Sequence, residues 1–293
     1  MKNLPFHERR RQQFLNEDMY QKTRANQLAL IDGQLKNKEM ADSTHENSSV
    51  HRFLHLEALW LWMLDYTAGA PIDELAPRIA DIVDAFETWN DVEQTFQQEA
   101  SLEFPEYGPY EYSAAPDFKT LGDYENTLQL LSIAILLRDR RSVMRIIHIL
   151  RSHRGEDALV EQLIGGYIDD EMALDSCVLG EPYDTLLQVF YELDEQKTLG
   201  LLQTYLKQWY PAMKDHLRWY NEHLTESKLG YYGYWAFEAA AAVYILDLDD
   251  SQISHIVYPT DLLDYGRRLR KEDRYTEGRT DLTYSHHGDY RSQ

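Results

Sequence analysis

The sequence predicts an all-α fold made of two adjoining helical domains. Apolar residues recur at helical spacing along most of the 293 residues. No stretch combines strict polar and apolar alternation over six residues with strand-like composition and hairpin turns. Residues 104–116 contain three prolines and a glycine, which interrupt any helix. We therefore expect an N-terminal domain over residues 1–116 and a C-terminal domain over residues 117–293.

Helices of contrasting character are expected in the first domain. Residues 8–35 are polar with mixed charges and predict a long solvated helix, and residues 42–49 predict a polar loop. Residues 50–66 are apolar on nearly every face, which is typical of a buried helix. A further helix is expected from residue 70 to about residue 100, with Pro77 marking its first turn.

Packed helical hairpins are expected in the second domain. Each hairpin consists of an apolar helix, a charged turn and a second apolar helix. The pairs are residues 124–137 with 143–150, residues 183–193 with 199–209, and residues 231–246 with a shorter second arm. Their irregular spacing leaves open whether they stack as a loose solenoid or pack without a repeat. The last stretch, residues 267–293, predicts a helix end followed by a mobile tail.

Negative charge is concentrated in two ranges that contain no lysine, arginine or histidine. Residues 79–118 hold ten carboxylates and residues 155–196 hold twelve. The rest of the chain has 28 acidic residues against 29 lysines and arginines, so these two ranges account for the formal net charge of −21. Charge placed this unevenly creates a field that favours a strongly basic protein partner. The same field disfavours direct binding to nucleic acid or to an anionic membrane.

The composition also indicates the compartment. A single cysteine, Cys177, excludes an internal disulfide and a thiolate metal site. The charged N-terminal residues are not followed by the apolar core of a signal peptide. The longest uncharged apolar run, residues 126–137, is shorter than the roughly 20 residues that a membrane span needs. We therefore expect a soluble cytoplasmic protein.

No catalytic or cofactor-binding motif is found. The glycine-rich phosphate loops GxxxxGK[ST] and GxGxxG and the nucleophile motif GxSxG are absent. Cys177 has no neighbouring histidine and is expected to be a small buried residue. His51 and His55 have the spacing of two metal ligands, with Glu57 nearby, but structural histidines are the favoured interpretation because a site needs further ligands. Residues 247–250 predict a charged turn rather than a calcium loop. We expect no metal and no cofactor.

The most specific motif lies in residues 230–265, which read GYYGYWAFEAAAAVYILDLDDSQISHIVYPTDLLDY. Its elements are GYWAFEA at residues 233–239, LDDS at 248–251, YP at 258–259 and DL at 261–262. In this order they resemble the C-terminal domain of PoNi-type immunity proteins, which are antidotes to PoNe and related DNase toxins of bacterial polymorphic-toxin systems. The N-terminal half is similar to the helical leading domain of the same family.

The resemblance implies an all-helical, non-catalytic protein that neutralises a cognate toxin delivered by a secretion system such as type VI. The glycines of the motif are expected to let the chain enter a helix tightly, and the aromatic residues are expected to fill the core. An unpaired buried charge is costly, so Glu238 is expected to accept a hydrogen bond or pair with a cation. The residues of this structural signature are Gly230, Gly233, Tyr234, Trp235, Phe237 and Glu238.

The charge pattern and the resemblance together predict an acidic, tyrosine-rich surface that binds a basic toxin. A DNase presents lysine and arginine to phosphate, and carboxylates match such a surface. The expected contact residues are Glu99, Glu103, Glu106, Tyr107, Tyr110 and Glu111 in the first range, and Asp169, Asp170, Glu171, Asp175, Glu192, Asp194 and Glu195 in the second. Two alternatives remain open: a helical scaffold or adaptor for another basic protein, and a metal hydrolase built on the histidine pair at residues 51 and 55.

Overall fold

The all-α prediction is confirmed by the structure, which is a computed structural model. It describes residues 4–103, 115–170, 172–214, 217, 219–227 and 229–284, with side chains described up to Asp273. Within these ranges no residue belongs to a β-strand. No helix in the described part of the chain is both long and apolar enough to cross a membrane.

The N-terminal helices have boundaries that differ from the expected ones, and the second and third begin at side-chain caps. Their bounds are α1 Phe6–Arg9, α2 Glu17–Lys38 and α3 Thr44–Thr67. The prediction of one helix over residues 8–35 is wrong, because Asn16 caps a new helix by accepting a hydrogen bond from the Met19 amide at 2.9 Å. The polar loop at residues 42–49 is also wrong, since Ser43 caps α3 by accepting from the Glu46 amide at 3.2 Å.

The long acidic helix of the first half is preceded by two short turns. These are α4 Ile72–Leu75 and a 3-10 helix Ala76–Arg78, and α5 Ile79–Glu103 follows. Pro77 lies in the first turn of the 3-10 helix, which its fixed φ favours. Helix α3 packs between α2 and α5, and the indole of Trp62 donates a hydrogen bond of 2.9 Å to the Leu75 carbonyl.

The next three helices along the chain are α6 Leu121–Leu136, α7 Arg140–Ile149 and α8 Ala158–Ile164. A 3-10 helix, Leu150–His153, lies between the last two. Every residue of α6 from Asp123 onward is buried. A helix buried on every face lies inside the protein, and the buried residues of α6 include polar ones such as Glu125 and Gln129. Helix α7 packs against α6, as expected for the first hairpin, and begins where Asp139 accepts a hydrogen bond from the Ser142 amide at 3.0 Å.

The remaining helices are α9 Tyr183–Tyr191, α10 Glu195–Ala212, α11 Phe237–Leu246 and α12 Thr260–Tyr284, with a 3-10 helix Glu222–Leu224. The hairpin of α9 and α10 is as expected. The third pair differs, because α11 starts at Phe237 rather than residue 231, and its second arm, α12, is the longer of the two. Helix α12 forms the helical part of the last stretch, residues 267–293, as far as Tyr284, and the tail expected after it lies outside the described residues.

Helices α6 and α11 lie at the centre of the fold. Helix α6 packs against α7, α11 and α12, and α11 also contacts α8 and α9. A single cluster of buried apolar residues extends from Phe6 to Leu263 and includes both halves of the chain. Contacts between α5 and α7 cross the expected domain boundary, and the division after residue 116 stays a prediction.

Candidate functional site

Three of the expected contact residues lie on the segment that joins α8 to α9. Asp169, Asp170 and Asp175 are all exposed there. Glu171, which belongs to the same acidic triplet in the sequence, lies outside the described residues. The segment therefore presents several carboxylates to solvent within a few residues of one another.

Tyr191, the last residue of α9, connects this segment to the helices behind it. Its hydroxyl accepts a hydrogen bond from Gln162 Nε2 and donates one to the Leu174 carbonyl, both at 3.1 Å. The residue itself is 51% exposed. Tyr191 therefore fixes the end of α9 to α8 and to the acidic segment while it keeps an aromatic face open to solvent.

A turn with the remaining expected contact residues of the second range follows Tyr191 directly. Glu192 accepts hydrogen bonds from the amides of Leu193 and Asp194, both at 2.9 Å. Asp194 caps α10 by accepting from the Lys197 amide at 3.0 Å. Glu195 is exposed in the first turn of that helix, where a negative charge is favourable. These three acidic residues stabilise the turn, and Asp194 and Glu195 still lie at the surface.

The end of α8, the acidic segment and Tyr191 enclose a groove of about 500 Å³, which we call the Tyr191 groove. Asp170 and Asp175 line it together with the apolar side chains of Ile168 and Leu174 and the ring of Tyr191. Such a lining is suited to a lysine or arginine side chain. Its charged head can pair with a carboxylate, and its apolar stem can pack on the apolar and aromatic surface.

Arg154 fastens one wall of the groove. Its Nε donates to both carboxylate oxygens of Glu161, at 2.9 and 3.1 Å, and its Nη2 donates to the Asp170 carbonyl at 2.8 Å. The Glu161 side chain is only 4% exposed, and hydrogen bonding to it raises the pKa of the Arg154 guanidinium. The cation neutralises a buried carboxylate and fixes the backbone of the acidic segment.

Part of the charge in the second range is internal. Asp157 is buried, caps α8 through the Val160 amide, and accepts hydrogen bonds from the Tyr124 hydroxyl at 2.9 Å and the Val178 amide at 2.8 Å. Its burial raises the pKa of the carboxyl group. Asp184 likewise accepts from the Cys177 amide at 2.8 Å. Only some of the carboxylates that the sequence concentrates here are therefore exposed to a partner.

The first range is described from its start to the end of α5 and again over residues 115–118. Glu99 and Glu103 are exposed near that end, and Glu99 accepts a hydrogen bond of 2.7 Å from the Thr44 hydroxyl. The last turn of α5 contains no basic residue, so Glu103 lies unfavourably at the negative end of the helix dipole. The other expected contacts of this range, Glu106, Tyr107, Tyr110 and Glu111, lie outside the described residues.

A distant arginine compensates part of the first range. Arg145 of α7 donates through Nε to Glu87 Oε1 at 2.8 Å, and its Nη2 bonds both Glu87 and Asp84 at 2.5 Å. The hydrogen bonds from Arg145 hold the pKa of the Glu87 carboxyl below its usual value. Absence of cations within a stretch of sequence therefore does not mean absence of cations around it in the fold.

The two signature glycines have roles different from the expected one. Gly233 has φ +109, and a Cβ atom there would lie 2.1 Å from Thr67 Oγ1 of α3. A Cβ on Gly230 would lie 2.8 Å from Glu222 Cγ. Both positions precede α11 by several residues, so the expectation of tight helix entry is wrong. Gly233 instead allows the backbone before α11 to touch α3.

The aromatic residues of the signature are buried, as expected. Trp235 donates from its indole nitrogen to Thr67 Oγ1 at 2.8 Å, and Tyr234 donates a longer bond of 3.4 Å to the Trp219 carbonyl. Phe237 is fully buried, and its ring lies 5.6 Å from that of Tyr66. The signature thus joins α3 to the C-terminal helices.

Gln12 is a structural residue that sequence reasoning missed. It is 1% exposed, and its Nε2 donates to the carbonyls of Tyr234 at 2.6 Å and Ile256 at 2.9 Å. Its Oε1 accepts from the Tyr231 hydroxyl at 2.6 Å and from the Tyr234 amide at 3.0 Å. Nothing in the local pattern of the first 16 residues marks this glutamine, because its partners lie more than 200 residues away.

Glu238 accepts a hydrogen bond, as expected. The Tyr205 hydroxyl donates to its Oε1 at 2.5 Å, and the residue is 1% exposed. Burial raises the pKa of Glu238 to about 7. Glu125 of α6 is also buried, and its pKa is raised well above the usual value by burial and then by the charge of Glu238. Its position in the core gives Glu238 a structural role.

The histidine pair considered as metal ligands has other surroundings. The His55 ring stacks on Phe86 with ring centroids 4.5 Å apart, and burial lowers the pKa of His55 to about 4. Burial likewise lowers the pKa of His51. Among the residues that the structure describes, no group of three or more histidine, cysteine or acidic side chains has an arrangement suited to a metal ion. Cys177 is buried, and burial raises the pKa of its thiol.

Comparison with known families supports the resemblance seen in the motif. Residues 155–262 match the family of PoNe immunity proteins (PoNi), C-terminal. The matched range begins at the second cation-free range and includes the Tyr191 groove, Glu238 and the signature. The match implies an immunity function against a PoNe toxin. No curated protein matches the chain.

A solved structure has the same fold. It is protein PA2201 from Pseudomonas aeruginosa, which superimposes with a TM-score of 0.66 at 19% sequence identity. The similarity covers 87% of this chain and 90% of that chain. At this identity the likeness concerns the fold alone, and it extends the comparison well beyond the range that the family match covers.

Proposed function

We propose, from the premise that residues 155–262 carry the C-terminal domain of PoNe immunity proteins (PoNi), that this chain binds and neutralises a cognate antibacterial DNase toxin. The inhibitor acts by binding and performs no catalysis. Its partner is the basic nuclease domain of the toxin, and it contacts neither nucleic acid nor membrane. It acts in the cytoplasm, against a toxin that a type VI secretion system delivers.

The observation that carries the proposal is the exposure of acidic side chains inside the matched range. Asp169, Asp170 and Asp175 lie on one segment, and Asp194 and Glu195 lie on the turn after Tyr191. A nuclease holds DNA through lysine and arginine, so an inhibitor with carboxylates competes for the same basic surface. Complementary charge also raises the association rate, and this matters when the toxin must be captured before it cuts.

The test is co-expression of the chain with the product of the neighbouring gene, followed by a pull-down and a nuclease assay. We expect a stable complex without nuclease activity. A partner that binds but has no nuclease activity would instead favour the scaffold or adaptor function. If neither the upstream nor the downstream gene product bound the chain, the immunity function would be contradicted.

The electrostatic part of the proposal has its own test. Replacing Asp169, Asp170 and Glu171 with lysine should slow association by about tenfold or more and reduce its dependence on salt. The control is Glu39→Lys, an exposed position at the C-cap of α2, where a cation suits the helix dipole. Equal association rates for the native chain, the triple variant and the control, at low and high salt alike, would refute an acidic binding surface.

A further inference from the structure

We propose that the Tyr191 groove and the adjoining turn at Leu193 form the toxin-docking surface, and that they receive a basic segment of the toxin. A lysine or arginine side chain enters the groove, and an apolar side chain of the same segment packs on Leu193. This inference rests on the proposed function and specifies which of the two acidic regions binds.

Leu193 is the first observation behind this assignment. It is 99% exposed, although Glu192 holds the backbone of its turn through two hydrogen bonds. Covering a leucine side chain on binding removes apolar surface from water, which is favourable. The half-exposed Tyr191 lies two residues earlier in the chain, so an exposed apolar side chain and an exposed aromatic one occur within three residues of an acidic stretch.

The groove is held in place before any partner binds. Arg154 holds the backbone at Asp170, the Tyr191 hydroxyl holds it at Leu174, and Gln162 holds the tyrosine from the other side. Every one of these bonds lies within the chain. A site fixed in this way loses little conformational entropy when it is occupied, and this favours affinity.

The chemistry of the lining selects a cation with an apolar stem. Asp170 and Asp175 supply carboxylate oxygens, while Ile168 and Leu174 supply apolar contact. A guanidinium group can pair with a carboxylate and stack on an aromatic ring such as that of Tyr191. A neutral or acidic segment would displace water from these carboxylates without supplying a positive charge in return.

The other acidic region offers a direct competitor. Leu102 is 83% exposed near Glu99 and Glu103 at the end of α5, so it also places an apolar side chain among carboxylates. The fixed groove beside Leu193 is the reason that we assign docking to the second region.

Site-specific photo-cross-linking separates these regions. A photoreactive phenylalanine analogue replaces Leu193, Leu102 or Leu224 in three separate full-length chains. All three positions are exposed, and Leu224 is a matched control at 69% exposure, outside both acidic ranges. The probe is the nuclease product of the neighbouring gene, and the first measurement is binding of the native chain.

We expect a cross-link to the toxin from position 193 and none from position 224. In the same assay, Leu193→Ser and the pair Asp170→Asn with Asp175→Asn should each weaken binding by about tenfold, whereas Leu224→Ser should not. Unchanged melting temperatures of these variants would show that the loss does not come from unfolding.

Three outcomes would contradict either the docking assignment or the proposed function. Native binding with a cross-link from position 102 and none from position 193 would overturn this docking assignment and leave the immunity function intact. Native binding that is insensitive to Leu193→Ser and to the double aspartate variant would do the same. No binding of the native chain to the nuclease would count against the proposed function itself.

Discussion

The Tyr205 hydroxyl of α10 donates a hydrogen bond of 2.5 Å to the carboxyl group of Glu238 on α11, and both side chains are buried. Glu125 of α6 belongs to the same buried surroundings, because the charge of Glu238 contributes to its raised pKa. Three helices therefore meet at carboxyl groups that hold their protons more tightly than exposed ones do. The stability of the fold should depend on their protonation.

Stability should fall as the pH rises toward neutrality. In the unfolded chain Glu238 releases its proton near pH 4.5, whereas in the folded chain burial raises its pKa to about 7. The folded state thus binds more protons between these values, and the stabilisation present below pH 4.5 is lost as the pH rises through 7. The loss is on the order of 3 kcal/mol. Denaturant unfolding at several pH values measures it.

Glu238→Gln is the control for this pH dependence. Glutamine keeps an oxygen for the Tyr205 hydroxyl but does not titrate. The variant should lose the part of the decline that Glu238 causes, and Glu125 should continue to contribute in the same direction because its pKa is also raised. A variant whose stability declines as steeply as that of the native chain would show that Glu238 does not titrate in this range.

Tyr205→Phe should destabilise the protein more at pH 8 than at pH 5. Removing the hydroxyl takes a hydrogen bond from a buried carboxylate, which costs roughly 1.5–3 kcal/mol when the group is charged and less when it is protonated. The double variant with Glu238→Gln should show a smaller effect of the tyrosine substitution. Additive losses in this cycle would mean that the two side chains do not interact.

Gly233→Ala should destabilise the fold by about 2 kcal/mol or more, because its φ of +109 and the 2.1 Å approach to Thr67 Oγ1 leave no room for a Cβ atom. The matched control is Gly33→Ala within α2, where an added Cβ atom would meet no other group within 4 Å. That substitution should stabilise the helix by roughly 0.5–1 kcal/mol. Thermal unfolding of both variants checks the opposite signs.

Arg154→Ala should cost roughly 3 kcal/mol, since it leaves the buried carboxylate of Glu161 without its cation. It should also loosen the segment at Asp170, whose carbonyl loses a hydrogen bond. Replacing the pair by Arg154→Met with Glu161→Leu should recover most of the stability but not the fixed segment. Denaturant unfolding compares the three proteins. Equal stability of the native chain and Arg154→Ala would mean that the ion pair contributes nothing.

Much of the fold follows from local patterns, and the exceptions have specific causes. The uncharged run of α6 from residue 126 onward and the alternation of apolar helices with charged turns identified the first two hairpins correctly. The predicted start of α11 was wrong because residues 231–236 are as apolar as the helix that follows them. They are held outside the helix by Gln12 and Thr67, which lie far away in the sequence. No local pattern records such partners.

The sequence by itself determined that this chain is helical, that its net charge is confined to two ranges, and that its C-terminal motif is of the PoNi type. Helical periodicity and composition are properties of neighbouring residues, so they can be read from the chain. Only the tertiary structure decided which carboxylates are available. Asp157 and Asp170 belong to the same acidic range, yet Tyr124 helps to enclose the first in the core, whereas the second lies at the surface beside a groove. That difference arises because the burial of a charge depends on the side chains that folding brings around it.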